Sequence, residues 1–159
     1  MNIIQAVYSV RKDAVVILEG GGMLMIGDWK EKVSAVLMGY YPGMEGGTAL
    51  GEALFGKINP SGKLPFSVPE KQEHLPHIDW DAKVQWYEYY SGYMRLDKNG
   101  WEPAFPFGFG MSYTEFEVKN LKGWVEDDRL CASVQVCNIG GYDGAEVIQM
   151  YVGMPDSKV

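Results

Sequence analysis

The stretch AVVILEGGG, residues 14–22, carries the clearest structural signal in this chain. Its first five residues form an unbroken apolar run rich in β-branched side chains, which is typical of a strand buried on both faces, and the three glycines predict a sharp turn. The stretch SAVLMGYYPGMEGG, residues 34–47, repeats this arrangement. Two such strands predict a central, parallel-type sheet.

Helices are predicted on both sides of these strands. Apolar residues at positions 3, 6, 7 and 10 follow helical spacing, and a second helix is predicted over residues 48–55. The order helix, strand, strand, helix is typical of an α/β layered domain. Ligands of such domains usually meet the turns at the carboxyl ends of the strands, so the two glycine-rich turns are the first candidates for chemistry.

The chain changes character after the second predicted helix. Residues 59–62, NPSG, predict a turn, and residues 63–68 predict a short extended piece. The aromatic run WYEYYSGY at residues 86–93, a predicted turn over residues 97–100 and the stretch FPFGFG at residues 105–110 follow. These stretches lack helical periodicity, so this part is predicted to be loop-rich.

The last part of the chain has a β pattern. One strand is predicted to begin near residue 116, a second alternates over residues 130–137, and a third is predicted over residues 145–152. A β-sandwich needs about seven strands, so these three predict only the beginning of one.

Composition excludes several classes of partner. The 159 residues are 47% hydrophobic, enough for an ordered core, and carry a formal net charge of −7. This charge argues against nucleic-acid and anionic-membrane partners, because phosphates attract basic faces. No apolar run approaches the roughly 18 to 20 residues that span a bilayer, and residues 1–10 lack a signal-peptide pattern.

The cysteines and histidines predict neither a disulfide nor a metal site. Cys131 and Cys137 would lie on one face of a strand, about 20 Å apart, which is too far for a bond. Two unpaired thiols, with no signal peptide, favour a cytoplasmic location. His74 and His77 flank Pro76 in a predicted loop without zinc-ligand spacing, so we expect surface roles, no metal and no cofactor.

Four motif-bearing segments occur in a distinctive order. They lie at residues 41–65, 87–93, 105–114 and 138–152, and include YPGMEGG, NPSGKLP, FPFGFGMSYT and GAEVIQMYV. In order and approximate spacing they resemble the C-terminal part of a glycoside hydrolase family 3 protein, the group that contains β-glucosidases and β-xylosidases.

This resemblance implies a domain organisation. Family members combine a barrel that supplies an aspartate nucleophile, an α/β sandwich that supplies part of the sugar site, and often a fibronectin type III-like β-sandwich. Residues 1–112 would then be the C-terminal half of the α/β sandwich, including a loop-rich aromatic segment at residues 70–112. Residues 113–159 would begin the fibronectin-like domain. The fold class expected is therefore α/β, followed by an incomplete β-sandwich.

The resemblance offers one candidate catalytic residue. In one branch of the family the general acid/base is the glutamate of the Pro-Gly-x-Glu-Gly motif, which is Glu45 here. In the broader branch that residue would precede residues 14–18. A second interpretation of Glu45 is purely structural, because a carboxylate at a helix start is stabilised by about 0.3–1 kcal/mol.

Candidate substrate-binding residues lie in the aromatic run. Trp86 and Tyr87, with Tyr90, could stack on a pyranose ring or pack in a core. Glu88 could face a sugar or accept a hydrogen bond from a tyrosine hydroxyl. Met94 stands where family members frequently have arginine, so the sugar contacts of the family do not transfer directly.

Two functions from different classes follow from these observations. The first is a truncated glycosidase with negligible activity alone, because a retaining mechanism needs two carboxyl groups about 5–5.5 Å apart and the nucleophile belongs to the barrel. The second is a carbohydrate-binding or self-associating module without catalysis. Open strand edges and apolar faces predict a homo-oligomer or a complementing chain as partner, beside a β-glucoside or β-xyloside.

Overall fold

The structure is a computed structural model that describes residues 3–154. Over this range it contains three α-helices, six strands and two short 3₁₀ turns. In chain order the elements are α1 (Ile3–Val10), β1 (Val15–Glu19), a 3₁₀ turn (Lys30–Lys32), β2 (Ala35–Tyr40), α2 (Gly46–Leu54), β3 (Val68–Pro69), a 3₁₀ turn (Gln72–His74), α3 (Tyr93–Asn99), β4 (Pro103–Phe105), β5 (Phe116–Glu126) and β6 (Arg129–Asn138).

The predicted order helix, strand, strand, helix and the parallel pairing are confirmed, but the burial of the first strand on both faces is wrong. No residue of β1 is buried, and Val15 and Ile17 are 47% and 39% exposed, because little of the described chain covers the faces of this two-stranded sheet. Strands β1 and β2 pair in parallel, with Val15 opposite Ala35 at the start of the register. Helix α1 has the predicted bounds, whereas α2 begins two residues before the predicted helix over residues 48–55. The earlier start follows from the amide of Ala49, which donates to the carbonyl of Glu45 at 3.0 Å and closes the first turn there.

A small core lies beside this sheet. Ile26, Val68 and Ala104 are buried together, which brings the antiparallel pair β3–β4 close to the segment that follows β1. The predicted extended piece at residues 63–68 forms a strand only at its end. Leu64 instead exchanges backbone hydrogen bonds with the loop after β4, donating to Phe109 and accepting from Gly108, both at 2.8 Å.

The turn predicted over residues 97–100 is wrong, because helix α3 occupies this region. The helix ends at Gly100, whose φ of 64° places it in the left-handed region that favours glycine. Leu96 is the one residue of α3 that is buried. Because only one position of this seven-residue helix is buried, its sequence contains no repeating pattern of apolar residues from which a helix could be predicted.

The β pattern in the last part of the chain is confirmed in part. Strands β5 and β6 form the expected antiparallel hairpin, joined at Asp127 and Asp128, which both have positive φ as two-residue hairpin turns require. The third strand, predicted over residues 145–152, is wrong. Its Glu146 side chain contacts Lys63 and its Gln149 side chain lies against Gly108 instead, and no strand of the described range pairs with it. The fibronectin-like architecture stays a prediction.

Much apolar surface stays uncovered over residues 3–154. Five hydrophobic side chains in this range are buried, while large ones such as Tyr41, Phe55 and Met44 are more than four-fifths exposed. No helix in the described range combines the length and hydropathy needed to cross a bilayer.

Candidate functional site

The two glycine-rich turns meet at the carboxyl ends of β1 and β2, where ligands of α/β sheets usually bind. The amide of Gly20 donates to the carbonyl of Tyr40 at 3.0 Å, which joins the first turn to the end of β2. A Cβ on Gly21 would overlap the ring of Tyr41, so this ring lies directly against the Gly21 backbone. Tyr41 is 82% exposed and presents an aromatic surface at this edge.

Glu45 lies in the second turn, at the N-cap of α2, so its predicted place at the start of a helix is confirmed. Its carboxylate accepts a hydrogen bond from the Thr48 hydroxyl at 3.2 Å. No bond joins it to the free backbone amides of the helix. The side chain is exposed, and its role as an acid/base stays a prediction.

Trp86 and Tyr87 point into solvent, with 86% and 62% of their surface exposed. The alternative that they pack in a core is therefore wrong. The backbone around them is held by Gln85, which accepts from the amide of Asp79 at 3.2 Å and donates to the carbonyl of His77 at 3.3 Å. These hydrogen bonds close the segment from His77 to Gln85 into a compact loop, and the rings of Trp86 and Tyr87 remain exposed beside it.

Glu88 contacts a cation. The Arg95 guanidinium lies 3.4 Å from its carboxylate and also donates to the carbonyl of His74 at 3.2 Å. The predicted bond from a tyrosine hydroxyl to Glu88 is absent from the described residues. Arg95 directly follows Met94 in helix α3.

Tyr90 differs from Trp86 and Tyr87, which belong to the same aromatic run. Its ring is half-buried and lies under the ammonium group of Lys98, 4.1 Å from the ring centroid. Tyr89 packs edge-on against it, with the ring centroids 5.4 Å apart. One face of the Tyr90 ring is therefore occupied by a cation, whereas Trp86 and Tyr87 are open to solvent.

Comparisons with known proteins identify the family of the chain. The family pattern described as glycosyl hydrolase family 3 C-terminal domain matches residues 1–113. The chain belongs to glycosyl hydrolase family 3. This confirms the family resemblance inferred from the four motif-bearing segments.

The relatives of this family 3 chain are β-glucosidases. It is 39% identical to thermostable β-glucosidase B of Acetivibrio thermocellus over 99% of its own length and 22% of that protein. It is 37% identical to a β-glucosidase of Rhizobium radiobacter over 99% of its length and 21% of that protein. The solved β-glucosidase 3B of Thermotoga neapolitana in complex with glucose is 30% identical, with a TM-score of 0.79 over 89% of this chain and 21% of that one. The chain thus spans about a fifth of the length of these relatives.

Sequence reasoning missed Tyr40 in this family 3 chain. Its φ of 52° is unusual for a bulky residue, and its buried hydroxyl has no hydrogen-bond partner among residues 3–154. Burial raises the pKa of Tyr40. His74 has a similarly partnerless Nδ1 and stacks on Trp101, with ring centroids 4.5 Å apart. Neither feature has a sequence signal, because both arise from tertiary packing.

An apolar cavity of about 820 Å³ opens between the β1–β2 sheet and the segments around residues 60–68 and 104–113. Tyr40 forms part of its wall. Other lining residues are Val36, Met38, Leu64, Phe66 and Phe105. Charged side chains such as Lys30, Glu31 and Lys63 also line it, but most of the wall is apolar and is suited to apolar side chains.

The cysteines and acidic groups form no cluster. Cys131 and Cys137 are both free and half-buried on β6. Over residues 3–154, no group of three or more His, Cys, Asp or Glu side chains is arranged to hold a metal ion.

Proposed function

We propose that this chain supplies the sugar-contacting, non-nucleophilic part of a family 3 β-glucosidase. The observation that carries the proposal is the exposure of Trp86 and Tyr87 in the aromatic run, beside the Glu88–Arg95 pair, in a chain whose relatives are β-glucosidases. We call the part of the run that contains these two rings the aromatic loop. Exposed flat rings fit the apolar faces of a pyranose, and a charged pair beside them can bond its hydroxyl groups.

The chain has negligible hydrolytic activity by itself. A retaining glycosidase needs two carboxyl groups that act across one bond, and losing one of a cooperating pair removes most of the rate. Glu45 contacts Thr48 and Glu88 contacts Arg95, so the two candidate carboxylates have different partners on different elements.

The test is hydrolysis of chromogenic β-glucoside and β-xyloside by the purified chain, beside the variants Glu45→Gln and Glu88→Gln. We expect no turnover above the blank in any of the three. Turnover that one substitution abolishes would mean that the chain assembles a complete site of its own, and would overturn this part of the proposal.

The cavity is the surface on which a partner docks. Its apolar walls, together with the exposed Ile3, Val7 and Val10 at successive turns of α1, present hydrophobic surface that solvent disfavours. A complementing chain that carries the barrel, or a second copy of this chain, would cover it. Residues 113–159 would then begin the fibronectin-like domain, with further strands completing the sheet around β5–β6.

Self-association is the second candidate function. Light scattering of the purified chain at tens of micromolar shows whether it associates. A mass of at least twice 17.8 kDa, reduced by Met38→Asp in the cavity wall, supports association through this surface. A matched Val118→Asp substitution on the exposed face of β5 should leave the mass unchanged. A well-folded monomer would overturn the self-association proposal.

A further inference from the structure

Residues 143–151, which we call the strap, are fastened to the α/β part by side chains far away in sequence. Asn59 donates from Nδ2 to the carbonyl of Asp143 at 3.0 Å. Lys63 approaches the carboxylate of Glu146 to 2.8 Å. Asn59 also accepts bonds from the Ser112 hydroxyl and the Tyr113 amide, so the NPSG turn is a fixed platform.

The Lys63–Glu146 pair is the most enclosed ion pair of the described residues. The side chains are 13% and 19% exposed, and the ammonium group also donates to the carbonyl of Gly110 at 2.6 Å. The hydrogen bond from Lys63 lowers the pKa of Glu146. If either partner were removed, the other would keep a partly buried charge without its counter-ion, which is costly.

In FPFGFG, Gly108 makes room for the strap, and Gly110 makes room for the segment that carries Lys63. A Cβ on Gly108 would overlap the side-chain amide of Gln149, and its φ of 77° also favours glycine. A Cβ on Gly110 would overlap the carbonyl of Gly62 and the stem of Lys63. The glycines thus allow close approach of two segments that are otherwise distant in sequence.

The far end of the strap reaches the aromatic run. The Tyr151 ring packs edge-on against Tyr93, with centroids 5.9 Å apart, and Tyr93 in turn lies 5.6 Å from Phe107. The Tyr151 hydroxyl donates to the side-chain oxygen of Gln149 at 2.6 Å. Tyr93 is the first residue of α3 and the last of the aromatic run, so the strap contacts the end of that run directly.

We propose that Lys63 is a positioning residue that latches the strap onto the α/β part and thereby, through Gln149 and Tyr151, holds Tyr93 and the end of the aromatic run in place. The inference concerns the internal order of the chain and stands whether or not the aromatic run binds sugar. The competing interpretation is an ion pair that adds stability while the strap stays docked without it.

The first test is cleavage by a glutamate-specific protease, which requires the strap to open at Glu146. Lys63→Met keeps the apolar stem and removes the charge. We expect cleavage after Glu146 to accelerate about tenfold or more, because proteolysis follows the population of the opened form. Cleavage after the exposed Glu45 should not change. Lys57→Met is the matched control, since its pair with Glu52 is long, at 4.0 Å, and exposed.

Nuclear magnetic resonance of the same variants supplies the second test. In the unchanged chain, backbone order parameters of residues 147–151 should be near 0.85 and the Tyr93 and Tyr151 rings should show a mutual contact. Lys63→Met should lower those order parameters below about 0.6 and remove the ring contact. Unchanged cleavage after Glu146 and an intact ring contact in Lys63→Met would overturn the proposal, as would a strap that is already mobile in the unchanged chain.

Discussion

The strap junction and the aromatic loop differ in how they are held. At the junction, Asn59 and Lys63 bond to residues more than eighty positions away, and glycines bring the segments into close contact. In the loop, Gln85 bonds only to residues within eight positions, and Trp86 and Tyr87 face solvent. Long-range polar bonds thus fix the position of the strap against the α/β part. Trp86 and Tyr87, whose loop is held by short-range bonds, stay available for a partner.

The largest loss should follow Gly108→Ala at the junction. The substitution strains a positive φ and displaces Gln149, which together should lower the free energy of unfolding by about 2–4 kcal/mol. Gly100→Ala is the matched control, because its φ of 64° is similar but the space around it is open. The control should cost about 1 kcal/mol, measured by urea unfolding. Equal losses would show that Gln149 does not need the space.

A second, smaller loss should follow removal of the Lys63–Glu146 pair. Lys63→Met and Glu146→Gln should each lower the free energy of unfolding by about 1–3 kcal/mol. The double variant should lose less than the sum of the two, because each single change already breaks the shared bond. Strict additivity in denaturant titrations would show that the two residues act independently.

The third prediction concerns pH. Because the pKa of Glu146 lies below its ordinary value of 4.5 in the folded chain, the unfolded chain binds the proton more readily. The stabilisation is therefore complete above that value and is lost as pH falls through the lowered pKa. The difference in unfolding free energy between the unchanged chain and Glu146→Gln should shrink as pH drops from about 6 to about 3. A constant difference would argue against the ionised pair.

The smallest effect on stability should come from the aromatic loop. Trp86→Ala removes an exposed ring and should change the free energy of unfolding by less than about 0.5 kcal/mol. A matched Trp101→Ala should cost more, since that ring stacks on His74 and lies beside the Arg95 guanidinium. If thermal unfolding shows Trp86→Ala to be the more damaging change, the loop packs differently from this description.

Several features could be predicted because they depend on local pattern. The apolar run at residues 14–18 predicted a parallel strand, although not its exposure, and Glu45 was correctly placed at the start of a helix. Residues 145–152 alternate like a strand, yet Lys63 and Gly108 hold this segment at a different surface. Whether such a segment pairs as a strand or packs on another surface depends on three-dimensional contacts. The buried Tyr40 hydroxyl, which has no hydrogen-bond partner among residues 3–154, cannot be predicted from the sequence for the same reason.

The sequence named candidate site residues but not the side chains that they contact. Trp86 and Tyr87 were named as rings of the aromatic run that could stack on a pyranose, and their exposure leaves them available as the sugar-stacking surface we propose. The partner of Glu88 was missed, because the seven-residue spacing to Arg95 brings the two together only through the loop and α3. Such a pair can be identified only when the path of the backbone between Glu88 and Arg95 is known.

We propose that Trp86 and Tyr87 of the aromatic run contact glucosides although the chain does not hydrolyse them. The most direct measurement is titration with methyl β-D-glucoside followed by nuclear magnetic resonance. We predict shift changes confined to residues near Trp86 and Tyr87, with a dissociation constant of about 1 mM or weaker, equivalent to at most about 4 kcal/mol, and their loss in Trp86→Ala. Shift changes elsewhere, or none at saturating glucoside, would contradict the claim.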